Sequence, residues 1–179
     1  MSLIIGSVLG DAYIYPKGKI CFDHSEKQKE YLFWKFAELK AISYPKVSMV
    51  RRFDKRTGQY TQSWRFFLKQ YFRVLRKSFY PSGKKIVPIQ LVDKWFTPLS
   101  LAVWYMDDGY LDKGRYPLFM TESFPRENLE KLRSMIQTKL GISLLVTKNN
   151  RIRLLSKSSQ RFFQLIGPHV HKDLSYKLP

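Results

Sequence analysis

The sequence contains little cysteine, few acidic residues and no long hydrophobic run. Cys21 is the only cysteine, which excludes an internal disulfide and a cysteine-ligated metal cluster. No stretch approaches the ~18–20 consecutive apolar residues of a membrane-spanning helix. The apolar N-terminus lacks the basic segment and the small-residue cleavage site of a signal peptide. We therefore expect an intracellular protein, in a prokaryotic cytoplasm or an organellar matrix.

The scarcity of acidic residues leaves a large excess of positive charge. The 179 residues include 32 Lys and Arg but 14 Asp and Glu, a formal charge of +18. Such an excess favours a polyanionic partner, above all a nucleic acid. No long amphipathic basic helix points to a membrane surface. The basic residues are interleaved with aromatic ones, which indicates a folded binding surface.

The order of segments repeats once along the chain. An apolar helix-length segment ends in Asp11 in LIIGSVLGDAYI and in Asp108 in LAVWYMDDGYL. In both copies a short strand, a helix, two strands and a further helix follow, and each copy closes on a lysine near a proline. We predict two halves of one pseudosymmetric unit, residues 1–92 and 93–179.

Local signals support these elements. Thr97 and Pro98 form a typical helix start, and Gly109 forms a typical helix stop. Asn149-Asn150 suits a tight hairpin turn. Gly6, Gly10 and Ala102 would let two buried apolar helices approach closely. If a pseudo-twofold axis relates the halves, the two helices pack side by side and bring Asp11 and Asp108 together.

Two carboxylates brought close repel each other unless a cation neutralises them. Hard oxygen ligands with open positions suit Mg²⁺, which also binds substrate phosphates and supports phosphodiester hydrolysis. Each aspartate alone is more simply explained as a helix terminus, but the matched pair favours a site. Gly10 and Asp107, which precede the two aspartates, are placed with them in the metal site in a supporting role.

The closing lysines of the repeat are Lys85 and Lys177. Their similar positions imply similar placement around the axis, where each could polarise a scissile phosphate or organise the attacking water. The simpler alternative is a pair of solvated surface lysines. Lys84 could take the place of Lys85.

The strands supply the partner surface. Side chains alternate between the two faces of a strand, and polar and basic residues alternate with apolar ones here. A β-ribbon fits the major groove of DNA, where Arg and Gln read base edges and Lys contacts phosphates. The candidate DNA-binding residues are Arg51, Lys55, Arg56, Gln62, Arg65, Lys148, Arg151 and Arg153.

A polar cluster follows the first strand of each half. It contains His24 and Ser25 in the first half and Thr121, Glu122 and Ser123 in the second. These residues could line the edge of the site or contact backbone phosphates, and ordinary turn residues are an equally good interpretation. The aromatic residues of the following segments, Phe66, Phe67, Phe72, Phe162 and Phe163, are assigned to the core.

Two segments resemble a known motif. LAVWYMDDG (101–109) is similar to the nine-residue LAGLIDADG motif, and IIGSVLGDA (4–12) is a more divergent copy. With the context segments GDAYI, KKIVP, TPLSLAVWYMDDG and YKLP, the whole chain resembles the monomeric, two-motif LAGLIDADG homing endonucleases.

The resemblance implies an α+β fold of two αββαββα-like halves, with the motif helices packed at their interface and two curved antiparallel sheets forming a DNA-binding saddle. It implies a monomeric, intron-encoded enzyme that cuts both strands of a long duplex target and leaves short 3′ overhangs. Mg²⁺ would be required, Mn²⁺ would substitute, and Ca²⁺ would bind without cleavage. By the family pattern Asp11 and Asp108 are the metal ligands, and Lys85 and Lys177 the basic active-site pair.

Two alternatives remain at this point. The chain could be an RNA maturase that assists splicing of its host intron, which the positive charge permits. It could also be a DNA-binding protein that no longer cuts. The sequence gives neither the target site nor the number of metals bound.

Overall fold

Helices and strands follow the same order in both halves of the chain. The computed structural model describes all residues, 1–179. The first half contains α1 (Ser2–Leu9), β1 (Tyr13–Ile14), β2 (Ile20–Ser25), α2 (Lys29–Leu39), β3 (Ser48–Asp54), β4 (Gln59–Phe67) and α3 (Arg73–Phe79). After α4 (Ile89–Trp95), the second half contains α5 (Pro98–Asp108), β5 (Gly109–Asp112), β6 (Tyr116–Phe119), α6 (Arg126–Leu140), β7 (Leu144–Val146), β8 (Ile152–Leu154) and α7 (Ser159–Ile166). The predicted α+β class and the αββαββα order are confirmed.

Each half forms one four-stranded sheet in which all neighbouring strands are antiparallel. The strand order is β1-β2-β4-β3 in the first sheet and β5-β6-β8-β7 in the second. Equivalent strands thus occupy equivalent places, as expected for a repeat. No helix combines the length and the hydrophobicity that a transmembrane segment needs.

The residues group into two compact units. The larger unit contains Met1–Gly10 and Lys77–Pro179, and the smaller unit contains Asp11–Arg76. Helix α1 belongs to the larger unit because it packs along α5. The boundary between the two repeats, placed between residues 92 and 93, stays a prediction from the sequence.

Two glycines make the close packing of α1 on α5 possible. A Cβ at Gly6 would lie 2.5 Å from the carbonyl oxygen of Ser100, and a Cβ at Gly10 would lie 2.5 Å from the Cβ of Asp107. Real Cβ atoms do not approach other atoms so closely, so only glycine fits at either position. Both helices are buried along most of their length, as their apolar sequences predict.

The ends of α5 follow from local chemistry. Thr97 and Ser100 form a reciprocal capping pair, in which each side-chain oxygen accepts from the other residue's backbone N–H, and Pro98 begins the helix. The helix ends at Asp108, as predicted, but Gly109 has a φ of −91° and does not use the left-handed region. Glycine is needed there because a Cβ would overlap the ring of Tyr105.

The core of the larger unit forms where α5, α7 and β6 meet. Trp104 and Phe119 have ring centroids 4.3 Å apart, and Tyr105 and Phe162 pack edge to face at 5.1 Å. The β7–β8 connection turns tightly through Asn150, whose φ is +56°. The hairpin that Asn149-Asn150 predicts is therefore confirmed, and Asn tolerates this left-handed conformation well.

The core of the smaller unit lies between α2 and one face of its sheet. Phe22 and Phe66 stack at 4.6 Å, and Phe36 of α2 packs edge to face on Phe66. Phe33 of α2 contacts Trp64 in the same layer. The prediction that Phe66 and Phe162 are core residues is confirmed, since both are fully buried. The other face of this sheet is not covered by α2.

Candidate functional site

The C-terminal end of α5 carries two carboxylates and meets a buried lysine. Asp107 and Asp108 are the last two residues of the helix, and both are half-buried. The Lys177 ammonium donates to the carbonyl oxygen of Met106 at 2.6 Å, although only 9% of Lys177 is exposed. A cation at this end is favourable because the last carbonyl groups of a helix carry partial negative charge.

A hydrogen bond from Tyr105 fixes the backbone of this lysine. The Tyr105 hydroxyl donates to the carbonyl oxygen of Lys177 at 2.9 Å. Burial raises the pKa of Tyr105 well above its ordinary value, so the phenol keeps its proton and remains a donor. The short 3-10 stretch Lys172–Lys177 is thereby tied to α5 at both its backbone and its side chain.

The C-terminal end of α1 has the same arrangement. The Lys85 ammonium donates to the carbonyl oxygen of Gly10 at 2.9 Å and lies 3.4 Å from that of Leu9. Leu9 precedes Asp11 by two residues, as Met106 precedes Asp108. The larger unit thus places each predicted lysine against the equivalent end of a motif helix.

Lys84, the neighbour of Lys85, is exposed and makes no hydrogen bond to the end of a motif helix. Of the four predicted metal-site residues, three lie in the larger unit, where Gly10 packs directly against Asp107 and Asp108 follows at the helix end.

Asp11 lies in the smaller unit, where it meets a buried histidine. Its carboxylate Oδ2 is 3.7 Å from Nδ1 of His24, which is 3% exposed on β2. The same Nδ1 is 3.1 Å from Oε1 of Gln28, and Nε2 is 3.1 Å from the ammonium of Lys35. Lys35 is fully buried in α2. Sequence reasoning did not identify Lys35, because a helical lysine ordinarily reaches solvent.

The open face of the smaller unit's sheet carries a cluster of charged residues. Asp23 pairs across the strands with Arg65, and its Oδ2 accepts from Arg65 at 2.6 Å and from Arg52 at 2.9 Å. Directly opposed residues of an antiparallel pair point to the same face. Arg52 therefore lies on the open face with Arg65, and sequence reasoning missed it.

Arg51 and Gln62 lie on the other face of the sheet, the face on which α2 packs near Trp64. They oppose each other in the register and share this face with Trp64. The Arg51 guanidinium stacks 4.0 Å from the ring centroid of Tyr60, and Gln62 donates to Glu26 at 2.8 Å. If the pairing of a strand shifts by one residue, every side chain moves to the opposite face of the sheet. The alternation of polar and apolar residues therefore does not decide which of the two arginines lies on the open face.

The remaining predicted DNA-binding residues lie in the hairpin turns or on and beside β8. Lys55 and Arg56 are exposed in the β3–β4 turn, and Lys148 is exposed in the β7–β8 turn. Arg151 donates to Glu122 at 2.5 Å, and this hydrogen bond raises its pKa. Arg153 is half-buried on β8, on the face opposite to that of its buried neighbours Ile152 and Leu154.

Comparison with known proteins agrees with this architecture. Residues 1–162 match the LAGLIDADG DNA endonuclease family. The chain is 28% identical to "DNA endonuclease I-ChuI" of Chlamydomonas applanata, over 98% of this chain and 92% of that protein. It is 27% identical to "Cytochrome b mRNA maturase bI2" of Saccharomyces cerevisiae over 99% of this chain, which spans about half (47%) of that relative.

A solved structure has the same fold. The homing endonuclease I-WcaI, in the structure bound to its DNA recognition sequence, superposes with a TM-score of 0.86 and is 26% identical. The superposition covers 99% of this chain and 84% of that one. The shared architecture therefore extends over both halves of the chain.

Proposed function

The chain belongs to the LAGLIDADG DNA endonuclease family, and from this membership we propose that it is a site-specific homing endonuclease. It would hydrolyse both strands of a long duplex DNA target with a divalent cation, leave short 3′ overhangs, and act as a monomer encoded within an intron. One observation carries the proposal: Lys85 and Lys177 contact the equivalent ends of α1 and α5, the two helices whose sequences lead into the motif aspartates.

The residues at these helix ends fit a hard divalent cation. We assign Asp11 and Asp108 as the ligands, with Gly10 and Asp107 in support, because carboxylate oxygens suit Mg²⁺. Mn²⁺ would substitute for it, and Ca²⁺ would bind without cleavage. When bound, the cation would lower the pKa of a water molecule and neutralise charge on the phosphate.

The lysines would stabilise the negative charge that develops on the scissile phosphates. Each ammonium donates a hydrogen bond to a carbonyl oxygen at the end of its helix, which fixes the position of its positive charge. A fixed positive charge in a partly buried site acts more strongly on a phosphate than a mobile one in water. We assign this role to Lys85 on one strand and Lys177 on the other.

DNA binding would use the open face of the sheet in each half. Arg52 and Arg65 are the strongest candidates in the first half, since Asp23 holds both guanidinium groups on this face. Arginine recognises guanine through two hydrogen bonds in the major groove. Lys55, Arg56 and Lys148 in the turns would contact phosphates, and the excess of 18 positive charges would favour association.

A cleavage assay on a randomised duplex library tests the proposal. It is run at low salt with Mg²⁺, with an EDTA control, on the wild type and on the Asp11→Asn and Asp108→Asn variants. Glu38→Gln, an exposed change on α2, serves as the matched control. We expect cutting at one long sequence, abolished by EDTA and by either aspartate change. Duplex binding without any cutting would leave only a DNA-binding protein.

The similarity to the yeast maturase favours a second function, assistance of intron splicing. Splicing would depend on RNA binding and not on the acidic pair. The Asp11→Asn/Asp108→Asn double variant separates the two functions, because an RNA maturase would retain RNA binding and splicing activity while an endonuclease would lose all cleavage.

A further inference from the structure

A lysine and a histidine share the buried core of the smaller unit. Lys35 is fully buried, and its ammonium lies 4.4 Å from the ring centroid of Tyr31 and 5.8 Å from that of Phe22. Burying an ammonium group is costly unless other groups compensate it, and aromatic faces supply only part of that compensation. His24 supplies a further partner, since its Nε2 is 3.1 Å from the Lys35 ammonium.

The chemistry of this contact fixes which nitrogen of His24 carries the proton. An ammonium group has three donors and no acceptor, so Nε2 must accept. A neutral imidazole carries its one proton on the other nitrogen, which here is Nδ1. The surroundings of Nδ1 agree independently, because it faces two oxygen acceptors, Oε1 of Gln28 at 3.1 Å and Oδ2 of Asp11 at 3.7 Å.

We propose that Lys35 is a positioning residue that holds His24 as the Nδ1–H tautomer, so that this histidine presents a donor to Asp11 and is not a ligand of the catalytic cation. A nitrogen that carries a proton has no lone pair for a metal. Lys35 would thus keep the cation site a set of oxygen ligands, which suits Mg²⁺ over metals that prefer imidazole. The inference deepens the proposed function and rests on it for the role of Asp11.

The tautomer can be measured without any metal, DNA or activity. Long-range ¹H–¹⁵N spectra of the uniformly labelled full chain report the state of each imidazole nitrogen, and His24→Gln assigns the signals among the three histidines. We expect His24 to be neutral with its proton on Nδ1. A proton on Nε2 alone, or on both nitrogens, would overturn the proposal.

The role of Lys35 is tested by Lys35→Met, which keeps the length of the side chain and removes its charge. We expect the ratio of the two tautomers to shift by roughly ten- to a hundredfold toward Nε2–H, the size expected for a lost hydrogen bond to a charged group. Lys35→Arg should restore Nδ1–H, and Lys40→Met, an exposed change just beyond the same helix, should leave the spectrum unchanged. An unchanged tautomer in Lys35→Met would overturn the role of Lys35. If that variant fails to fold, the wild-type spectrum still decides the tautomer.

Cation binding measured by calorimetry gives a second readout. Loss of the Nδ1 proton in Lys35→Met should raise the affinity for Ni²⁺ relative to Mg²⁺ by roughly tenfold, because imidazole nitrogen prefers Ni²⁺. The gain should vanish in the Lys35→Met/His24→Gln double variant. An equal gain in that double variant would contradict the inference. Failure of the wild type to bind any divalent cation would instead contradict the proposed function, while the tautomer measurement would stand.

Discussion

The ammonium group of Lys177 lies 2.6 Å from the carbonyl oxygen of Met106, at the end of a helix whose last two residues are carboxylates. The helix carbonyl groups, with their partial negative charge, help to compensate the buried cation. Lys85 repeats the contact at the end of α1. The same physical solution therefore occurs once in each half of the repeat.

Replacing Lys177 by methionine should abolish most of the cleavage. The change keeps the aliphatic stem but removes the charge that would stabilise the phosphate, and we expect the rate constant of cleavage to fall by roughly a hundredfold or more. Single-turnover cleavage with saturating Mg²⁺ measures it, with duplex affinity determined in parallel. Lys172→Met, an exposed change in the same 3-10 stretch, is the matched control. Full cleavage by Lys177→Met would refute the catalytic assignment.

Gly10→Ala should destabilise the larger unit. The added Cβ would lie 2.5 Å from the Cβ of Asp107, so the ends of α1 and α5 would have to move apart. Overpacking of this kind costs about 1–3 kcal/mol. Thermal unfolding measures the loss. Gly167→Ala is the control, because no atom lies within 4 Å of the added Cβ and its φ of −50° suits any residue. Equal unfolding temperatures for the two variants would argue against close packing of α1 and α5.

Arg52→Ala should weaken specific DNA binding more than Arg51→Ala does. Arg52 lies on the open face of the sheet with Arg65, whereas Arg51 lies on the other face against Tyr60. We expect a loss of about 1–3 kcal/mol for Arg52, with relaxed specificity at one base position. Binding titrations on the cognate duplex and on single-base variants measure both effects. The assignment of Arg51 to DNA stays a prediction, and a larger loss for Arg51→Ala would support it instead.

Cys21 should be unreactive in the folded protein. Burial raises the pKa of its thiol from 9.0 to about 11, with Asp23 adding to the shift and Arg65 opposing it. We expect a disulfide reagent at pH 8 to react with it at least roughly tenfold more slowly than in denaturant, because the thiolate is the reactive form.

The same shift predicts a dependence of stability on pH. The folded state binds the thiol proton more tightly than the unfolded chain does, so this contribution is complete below pH 9.0 and is lost as the pH rises through about 11. Denaturant unfolding of the wild type and of Cys21→Ala across this window measures it. A parallel decline in both proteins would show that Cys21 does not contribute.

Sequence patterns predicted the elements that local chemistry determines. Three examples are the capped start of α5, the Asn149-Asn150 hairpin and the close approach of helices at Gly6 and Gly10. Each depends on a residue type that is strongly preferred in that one conformation. The repeat also predicted that Lys85 and Lys177 would lie in equivalent places. The structure places α1 in the same compact unit as the helices of the second half. This placement depends on packing between residues that are distant in sequence, so the sequence of one half could not predict it.

Two features of the candidate site could not be predicted because they depend on tertiary context. The register between β3 and β4 decides whether Arg51 or Arg52 lies on the open face of the sheet. The sequence does not distinguish this register from one shifted by a single residue. The burial of Lys35 depends on His24 and the aromatic rings that surround it. A helical wheel would assign such a lysine to solvent, so the Lys35–His24 contact carries no sequence signal.

The connectivity of the larger unit has a consequence for folding kinetics. Its first ten residues, Met1–Gly10, are separated from the rest by the whole smaller unit, and the Ser100 hydroxyl contacts the carbonyl of Ser2, 98 residues away along the chain. Closing so long a loop carries a large entropic cost, whereas the smaller unit is one continuous stretch with shorter loops. If the smaller unit collapses first, it shortens the segment that must be spanned. We therefore expect the α1–α5 pair to form late on the folding pathway, so that a chain acquires its paired helix ends only after most of its other structure is in place.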